Sequence, residues 1–316
     1  MNKKISASAP GKIIITGEHF VVHGSYAVAA AINKRVRVSI SEMKNGESCI
    51  VSQNSRSSLK NDDGRFQAAR KVAQEVLERY GKIREGGIEL EISSDIPPGS
   101  GLGSSAAVSV ATAGALLKFL GVDPRNEEIY EISMKGETEI HGNPSGIDIQ
   151  AALLGGMVLF SKGAGAKTIS LDRGLQLLVV FSGQSRKTSN LIRKVGVRKK
   201  QFPAFFECLT EAASCLSLDA VEASIRGDFL RLGTLMNVAQ TSLSWIGVSN
   251  PVLDEIVELA ASHDALGAKI TGAGGGGSVV VLPRPESAAA LLKRISKKYP
   301  MSFITSIPQE GLKWER

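Results

Sequence analysis

Gly87-Ile-Glu-Leu-Glu-Ile-Ser93 alternates strictly between apolar and polar residues. Side chains on a strand change face at every residue, so this pattern predicts a half-buried strand. Arg35 to Ile40 repeats the alternation, and Leu177 to Phe181, apolar throughout, reads as a strand buried on both faces. Ser6 to Ile15 holds shorter β-type runs broken at Ala9-Pro10-Gly11-Lys12, and Tyr26 to Ile32 is an apolar run of small residues. Arg65 to Tyr80 changes to helical spacing with one apolar stripe. Residues 44 to 63, crowded with Asn, Gly, Ser and Lys, read as a hairpin and an exposed loop.

Further on, Asp123 and Pro124 form an N-cap and first helical position for a helix to about Ile140. A turn at residues 141 to 148 leads into a short helix through Leu154, Gly155-Gly156 ends it, and Met157 to Phe160 returns as a strand. A polar stretch, Ser161 to Lys167, follows. Beyond Phe181 the pattern predicts helices at about 187 to 195, 203 to 216, 218 to 226, 228 to 243 and 251 to 263. Strands follow at about 266 to 270 and 278 to 283, then a helix over 285 to 298 and a closing strand over 302 to 307. No internal repeat of fixed period is present. A chain of 316 residues exceeds the size at which one core stops growing. Two domains are expected, residues 1–175 and 176–316, with the second opening on the strand at Leu177.

Composition narrows the function classes. Hydrophobic residues at 43% and charged residues at 22% describe an ordinary globular protein. The formal charge of +7 suits any polyanionic ligand. Its densest basic run, Arg193 to Lys200, has no interleaved aromatics, which argues for a solvated face and against nucleic acid. No stretch reaches the length of a membrane span and the N-terminus lacks a signal-like apolar region, so no membrane partner and a cytoplasmic location are expected. Cys49, Cys208 and Cys215, odd in number and without a Cys-x-x-Cys pair, fit reduced thiols. The seven-residue spacing of Cys208 and Cys215 puts both on one helix face, where buried thiols are expected.

The candidate chemistry centres on Pro97-Pro-Gly-Ser-Gly-Leu-Gly-Ser-Ser-Ala-Ala107, a glycine-rich turn running into an apolar helical segment. Small residues let backbone N–H groups approach an anion, and the helix aims its positive dipole end at the same point. The stretch lacks the Gly-Lys-Ser/Thr ending of a Walker A loop and does not open a chain of βαβ units, so it is a third kind of phosphate loop. Two more small-residue stations stand out, at residues 8 to 19 and 269 to 278.

Taken together, Ser8-Ala-Pro-Gly-Lys12 with Gly17-Glu-His19, the loop at 97 to 107, and Lys269-Ile-Thr-Gly-Ala-Gly-Gly-Gly-Gly277 resemble the three signature motifs of the GHMP small-molecule kinases, in order. His19-Phe-Val-Val-His-Gly24 and Glu137-x-x-x-His-Gly-Asn-Pro-Ser-Gly-Ile-Asp148 are similar to the mevalonate kinase branch of that superfamily. The resemblance implies an α+β fold. Its N-terminal mixed α/β domain would be ribosomal S5 domain 2-like with a five-stranded type of sheet, its C-terminal domain ferredoxin-like, and the active site would lie between them. It implies ATP-dependent phosphorylation of a small alcohol, mevalonate to 5-phosphomevalonate in isoprenoid biosynthesis, with Mg²⁺ as cofactor and a homodimer. A sister enzyme acting on phosphomevalonate, with Arg186 and Lys187 as extra cations, and a non-catalytic ligand-binding relative are the alternatives.

Site roles follow from the same resemblance. Pro97, Gly99, Ser100, Gly101, Leu102, Gly103, Ser104, Ser105 and Ala106 would hold the ATP phosphates. Ser105 and Glu137, both hard oxygen donors, would hold the magnesium. Periodicity leaves Glu137 and Glu139 equally placed, and motif register favours Glu137. Asp148 would accept or orient the acceptor hydroxyl's proton beside Lys12, which keeps the carboxylate ionised and offsets charge on the transferred group. An aspartate opening a short helix is otherwise an ordinary cap, and the Asn143-Pro-Ser-Gly context sets it apart. Glu18, His19, Gly274 and Gly275 would line the substrate pocket, while His23, His141 and His263 are expected to be structural. Ile149 and the segment Gln240 to Trp245 depart from the family pattern and are expected where the acceptor binds.

Overall fold

A computed structural model describes residues 3–44, 46–53, 55–61, 63–81, 86–142, 144–184 and 188–315. The first sheet is built on two long strands, β1 (Lys4–Thr16) and β2 (Ala27–Met43). Around them lie β3 (Cys49–Ser52), β4 (Ser55–Ser58), β5 (Gly87–Ser94), β6 (Met157–Ser161) and β7 (Gly165–Ile169). β2 pairs β1 along one edge, while its other edge is shared between β6, at residues 27–30, and β5, at residues 36–43. Only β3 with β5 runs parallel among the pairs of this sheet. Among the described residues the sheet has eight strands rather than five, because β4 extends β3, β7 extends β6 and residues 313–315 add one more.

The expected break at Ala9 to Lys12 is a register shift inside one continuous strand: Pro10 pairs Arg35, and Lys12 pairs Ala31. Gly11 explains why the chain needs no side chain there. A Cβ on Gly11 would lie 2.8 Å from the Leu102 carbonyl oxygen, so the glycine-rich loop can lie directly against the strand.

Of helices α1 (Gln67–Tyr80), α2 (Ser104–Phe119), α3 (Asn126–His141) and α4 (Ile147–Leu154), α2 and α4 pack on this sheet while α1 and α3 pack on α2. α2 is apolar or small on all sides and is buried almost throughout, as a helix surrounded by other elements must be. Asp123 does not cap α3; it pairs with Lys118 at 2.8 Å, and the helix begins three residues later after an extended Arg125. Proline at 124 holds that lead-in out of the helix.

The second sheet contains β8 (Gln176–Phe181), β9 (Gly267–Thr271), β10 (Ser278–Leu282) and β11 (Phe303–Ser306) in the order β11-β8-β10-β9, all antiparallel. Between β8 and β9 run α5 (Thr188–Gln201), α6 (Pro203–Arg226), α7 (Phe229–Trp245) and α8 (Pro251–Ala261), and α9 (Ala288–Ile295) precedes β11. A β-helix-β-β-helix-β path with strand order 4-1-3-2 is the ferredoxin-like arrangement. The two helices expected at 203–216 and 218–226 are one, since Ser217 sits inside α6 and donates its hydroxyl to the Tyr26 carbonyl at 3.0 Å. Cys208 and Cys215 are exposed, not buried, because α6 turns Phe206, Ala213, Ser217 and Ala220 inward.

The last strand, β12 (Lys313–Glu315), returns to pair with residues 6–8 of β1. Residues 313–315 therefore sit with the first sheet, not with the rest of 176–316. At the junction of the two sheets, Phe20 packs on Phe206 with ring centroids 5.6 Å apart, and the Thr16 hydroxyl donates to that of Ser217, which donates to the Tyr26 carbonyl. No described helix is long and apolar enough to cross a membrane.

Candidate active site

A cavity of about 420 Å³ opens at that junction. Its walls come from the end of β1, the short 3-10 turn Val21–His23, the C-terminal end of α3, the start of α4, α5 and the loop after β9. Ile14, Val21, Val22, Ile147, Ile149 and Val195 make it apolar, and a few charged groups converge on it. This is the usual character of a small-molecule site.

Lys12 and Asp148 meet in this cavity. Lys12 is 2% exposed, and its Nζ lies 3.0 Å from Asp148 Oδ1, whose side chain is 31% exposed. The lysine is thus fixed by burial while the carboxylate faces the open space. Asp148 stands in the first turn of α4.

The glycine-rich loop lies immediately behind Lys12. The Lys12 N–H donates to the Leu102 carbonyl at 2.8 Å, and Gly103 has φ +74° with its α-carbon facing the lysine stem. A Cβ there would fall 2.8 Å from Lys12 Cγ. Gly103 then opens α2 without any side-chain cap, leaving the first-turn amides directed at the loop's concavity. Ser104 and Ser105 are half-exposed at this end. Ser100, expected at the phosphates, is buried; its hydroxyl donates to the Pro97 carbonyl at 2.6 Å, and its own carbonyl accepts from Ser278 at 2.9 Å. Its carbonyl therefore ties the loop to β10 while its side chain closes the turn on Pro97, and Leu102, 1% exposed, anchors the loop in the core.

On α3, Glu137 is buried and lines the cavity whereas Glu139 is exposed. His141 Nε2 lies 3.8 Å from Glu137 Oε2 and 3.5 Å from Ser105 Oγ. A serine hydroxyl and a buried carboxylate thus approach one point, and this hard-oxygen pair is the donor set a magnesium ion takes. His141, expected to be structural, is part of this cluster; its helical spacing four after Glu137 was the signal.

Glu18 and His19 both line the cavity, and each has a partner from the second sheet's side. Glu18 forms a buried ion pair with Lys269 from β9. Burial pushes the Glu18 carboxyl up and the Lys269 ammonium down, and each partner pulls the other back. His19 adopts φ +63°, and its Nε2 donates to the Ala273 carbonyl at 3.0 Å. Gly274 and Gly275, expected at the substrate, are pressed instead on Val248 and Leu191; Gly272 and Ala273 form the wall. His23, also expected to be structural, lines the rim with its ring edge-on to Phe206 and its Nδ1 3.2 Å from Lys199 Nζ.

Of the two departures, Ile149 lines the cavity. The segment from Gln240 does not: Gln240 accepts from the Ile270 N–H at 2.9 Å, and Trp245 joins Phe202 and Phe205 in an aromatic cluster. Arg186, Lys187 and Asn143 lie outside the described residues.

The chain belongs to the GHMP kinase family. The model for the GHMP kinases N terminal domain matches residues 67–156, and that for the GHMP kinases C terminal matches residues 220–300. The mevalonate kinase of Thermococcus gammatolerans is 38% identical over 335 aligned positions, covering 99% of this chain and 98% of its own. That of Archaeoglobus fulgidus is also 38% identical, covering 98% and 99%. Among solved structures, the L. major mevalonate kinase in complex with R-mevalonate superposes with a TM-score of 0.83 at 30% identity, covering 96% of both chains.

Proposed function

We propose that this protein transfers the γ-phosphoryl group of ATP to mevalonate, giving 5-phosphomevalonate for isoprenoid biosynthesis. The observation that carries the reading is the Lys12–Asp148 pair, which stands where the apolar cavity meets the N-terminus of α2. Relatives named mevalonate kinases match the chain end to end, which supports mevalonate as the acceptor.

Phosphoryl transfer needs held phosphates, offset charge and an acceptor oxygen placed in line. The amides of residues 103–106 cradle the phosphates, with the α2 dipole behind them. Ser105 and Glu137 would hold a magnesium ion, which would supply charge neutralisation for the phosphates. Lys12 lies between the loop and the cavity, so its ammonium follows the negative charge on the transferred group. Asp148 takes the proton of the acceptor hydroxyl as the new P–O bond forms and the bond to ADP breaks. The aliphatic walls, Ile14, Val21, Val22, Ile147, Ile149 and Val195, pack on the acceptor's carbon skeleton and keep water from competing as nucleophile. The three free cysteines suit a cytoplasmic enzyme.

ADP release measured with mevalonate, phosphomevalonate, galactose and homoserine tests the reading. Turnover is expected with mevalonate alone. Phosphomevalonate as the preferred acceptor would transfer the enzyme to the sister reaction, and silence with all four would end the kinase assignment.

A further inference from the structure

Lys12 is carried on the outer edge of β1, and that edge is held by three different parts of the chain. β12 covers residues 6–8. The Leu102 carbonyl takes the N–H of Lys12 itself. At Ile14, two residues on, both backbone groups are taken by side chains of β9, from the other sheet. The Ile14 N–H donates to Thr271 Oγ1 at 2.7 Å, and Lys269 Nζ donates to the Ile14 carbonyl at 3.3 Å.

Lys269 uses its ammonium fully: its other donors go to the Ile270 carbonyl at 2.6 Å and to the Glu18 carboxylate. Lys269 is 0% and Glu18 2% exposed, so neither charge is relieved by water. Such a pair contributes little net stability against an apolar replacement, because desolvation offsets the attraction. Its geometry is more telling than its energy. Glu18 closes the turn after β1, so Lys269 grips the strand at Ile14 and again four residues later. Lys12 stands within electrostatic reach of both partners, making an alternating series Lys269, Glu18, Lys12, Asp148.

We propose that Lys269 is a positioning residue for the transfer. By gripping Glu18 and the Ile14 carbonyl across the junction of the sheets, it sets the strand bearing Lys12 against the helix bearing Asp148. The inference rests on the phosphoryl-transfer reading above, and it makes the second sheet part of the catalytic alignment. Loss of about 1 Å in such alignment lowers a rate by about 100-fold.

Three variants test it. Lys269→Met strands the Glu18 charge and is expected to lower both Tm and kcat. Lys269→Met combined with Glu18→Gln leaves no unpaired charge, so Tm should return to near the wild-type value while kcat stays about 100-fold down, with KM for ATP within about threefold. Recovery of kcat together with Tm would show a merely structural pair and overturn the proposal. Thr271→Val opens the other half of the grip without touching charge. It should lower kcat at least about tenfold at unchanged KM, with Thr271→Ser restoring it; an unchanged kcat in Thr271→Val overturns the proposal even if the charge variants fail to fold. The ¹⁵Nζ resonance of Lys12, read without substrate, separates this idea from the substrate assignment. A displaced resonance in Thr271→Val, which leaves both neighbouring charges in place, supports the grip even if wild type phosphorylates none of the four alcohols, and an unmoved one overturns it.

Discussion

Lys12 and Asp148 come from opposite ends of the first sheet's sequence, 136 positions apart, yet their charged atoms lie 3.0 Å from each other. The lysine is enclosed and the aspartate faces the cavity, so one group is held rigid and the other is free to meet substrate.

Asp148→Asn keeps shape and hydrogen bonding but removes the proton acceptor. Steady-state kinetics should show kcat falling by about 10²- to 10⁴-fold. Calorimetric binding of a non-hydrolysable ATP analogue should stay within a few-fold of wild type, since Asp148 lies outside the glycine-rich loop. An unchanged rate would remove Asp148 from the chemistry.

Gly103→Ala tests the contact between loop and lysine. Its φ of +74° strains any side chain by about 1–3 kcal/mol, and the new Cβ would press on the Lys12 stem. Both Tm and kcat should fall. Gly121→Ala is the control: φ is +83° there but nothing lies within 4 Å, so Tm should drop while kcat does not. Equal kinetics for the two variants would mean that the Gly103 contact plays no part in placing Lys12.

Glu137→Gln should raise the Mg²⁺ concentration needed for half-maximal rate by at least about tenfold, the scale seen for groups that support a metal. Glu139→Gln, two residues away and exposed, should leave the metal titration where it is. A reversed outcome would move the metal role to Glu139.

His23 responds to pH in a defined direction. Burial lowers its pKa below the ordinary histidine value, and the neighbouring Lys199 lowers it further. Folded protein therefore binds fewer protons at this ring than unfolded protein just below the ordinary value of about 6.5. Stability should rise with pH through that window and decline on acidification, modestly because the ring is exposed. An NMR titration of the ring should give a midpoint below the ordinary value, moving upward in Lys199→Ala. A midpoint unaffected by Lys199→Ala would detach the pair.

Local signals carried a large share of the reading. Alternation located β5, and a wholly apolar run located β8; the glycine spacing located the loop before α2. Each depends on residues adjacent in sequence, where periodicity and backbone freedom act directly. The misplacements have a common source. Asp123 has a capping side chain but Lys118 draws it away, and Ser217 looks like a helix break until Tyr26 is there to accept its hydroxyl. Gln240 and Trp245 look like pocket residues until β9 and two phenylalanines claim them.

From the amino-acid order alone came the family resemblance, the phosphate loop and the names Lys12, Glu18, Glu137 and Asp148, because those motifs are contiguous and chemically restrictive. Which of Glu137 and Glu139 is buried, what Glu18 pairs with, and where Gly274 and Gly275 point were settled by packing between the sheets. Those answers depend on strands more than 200 positions apart meeting at one junction, as Lys269 meets Ile14 and Glu18. Such contacts leave no period in the chain, since the partners of a buried charge are chosen by topology.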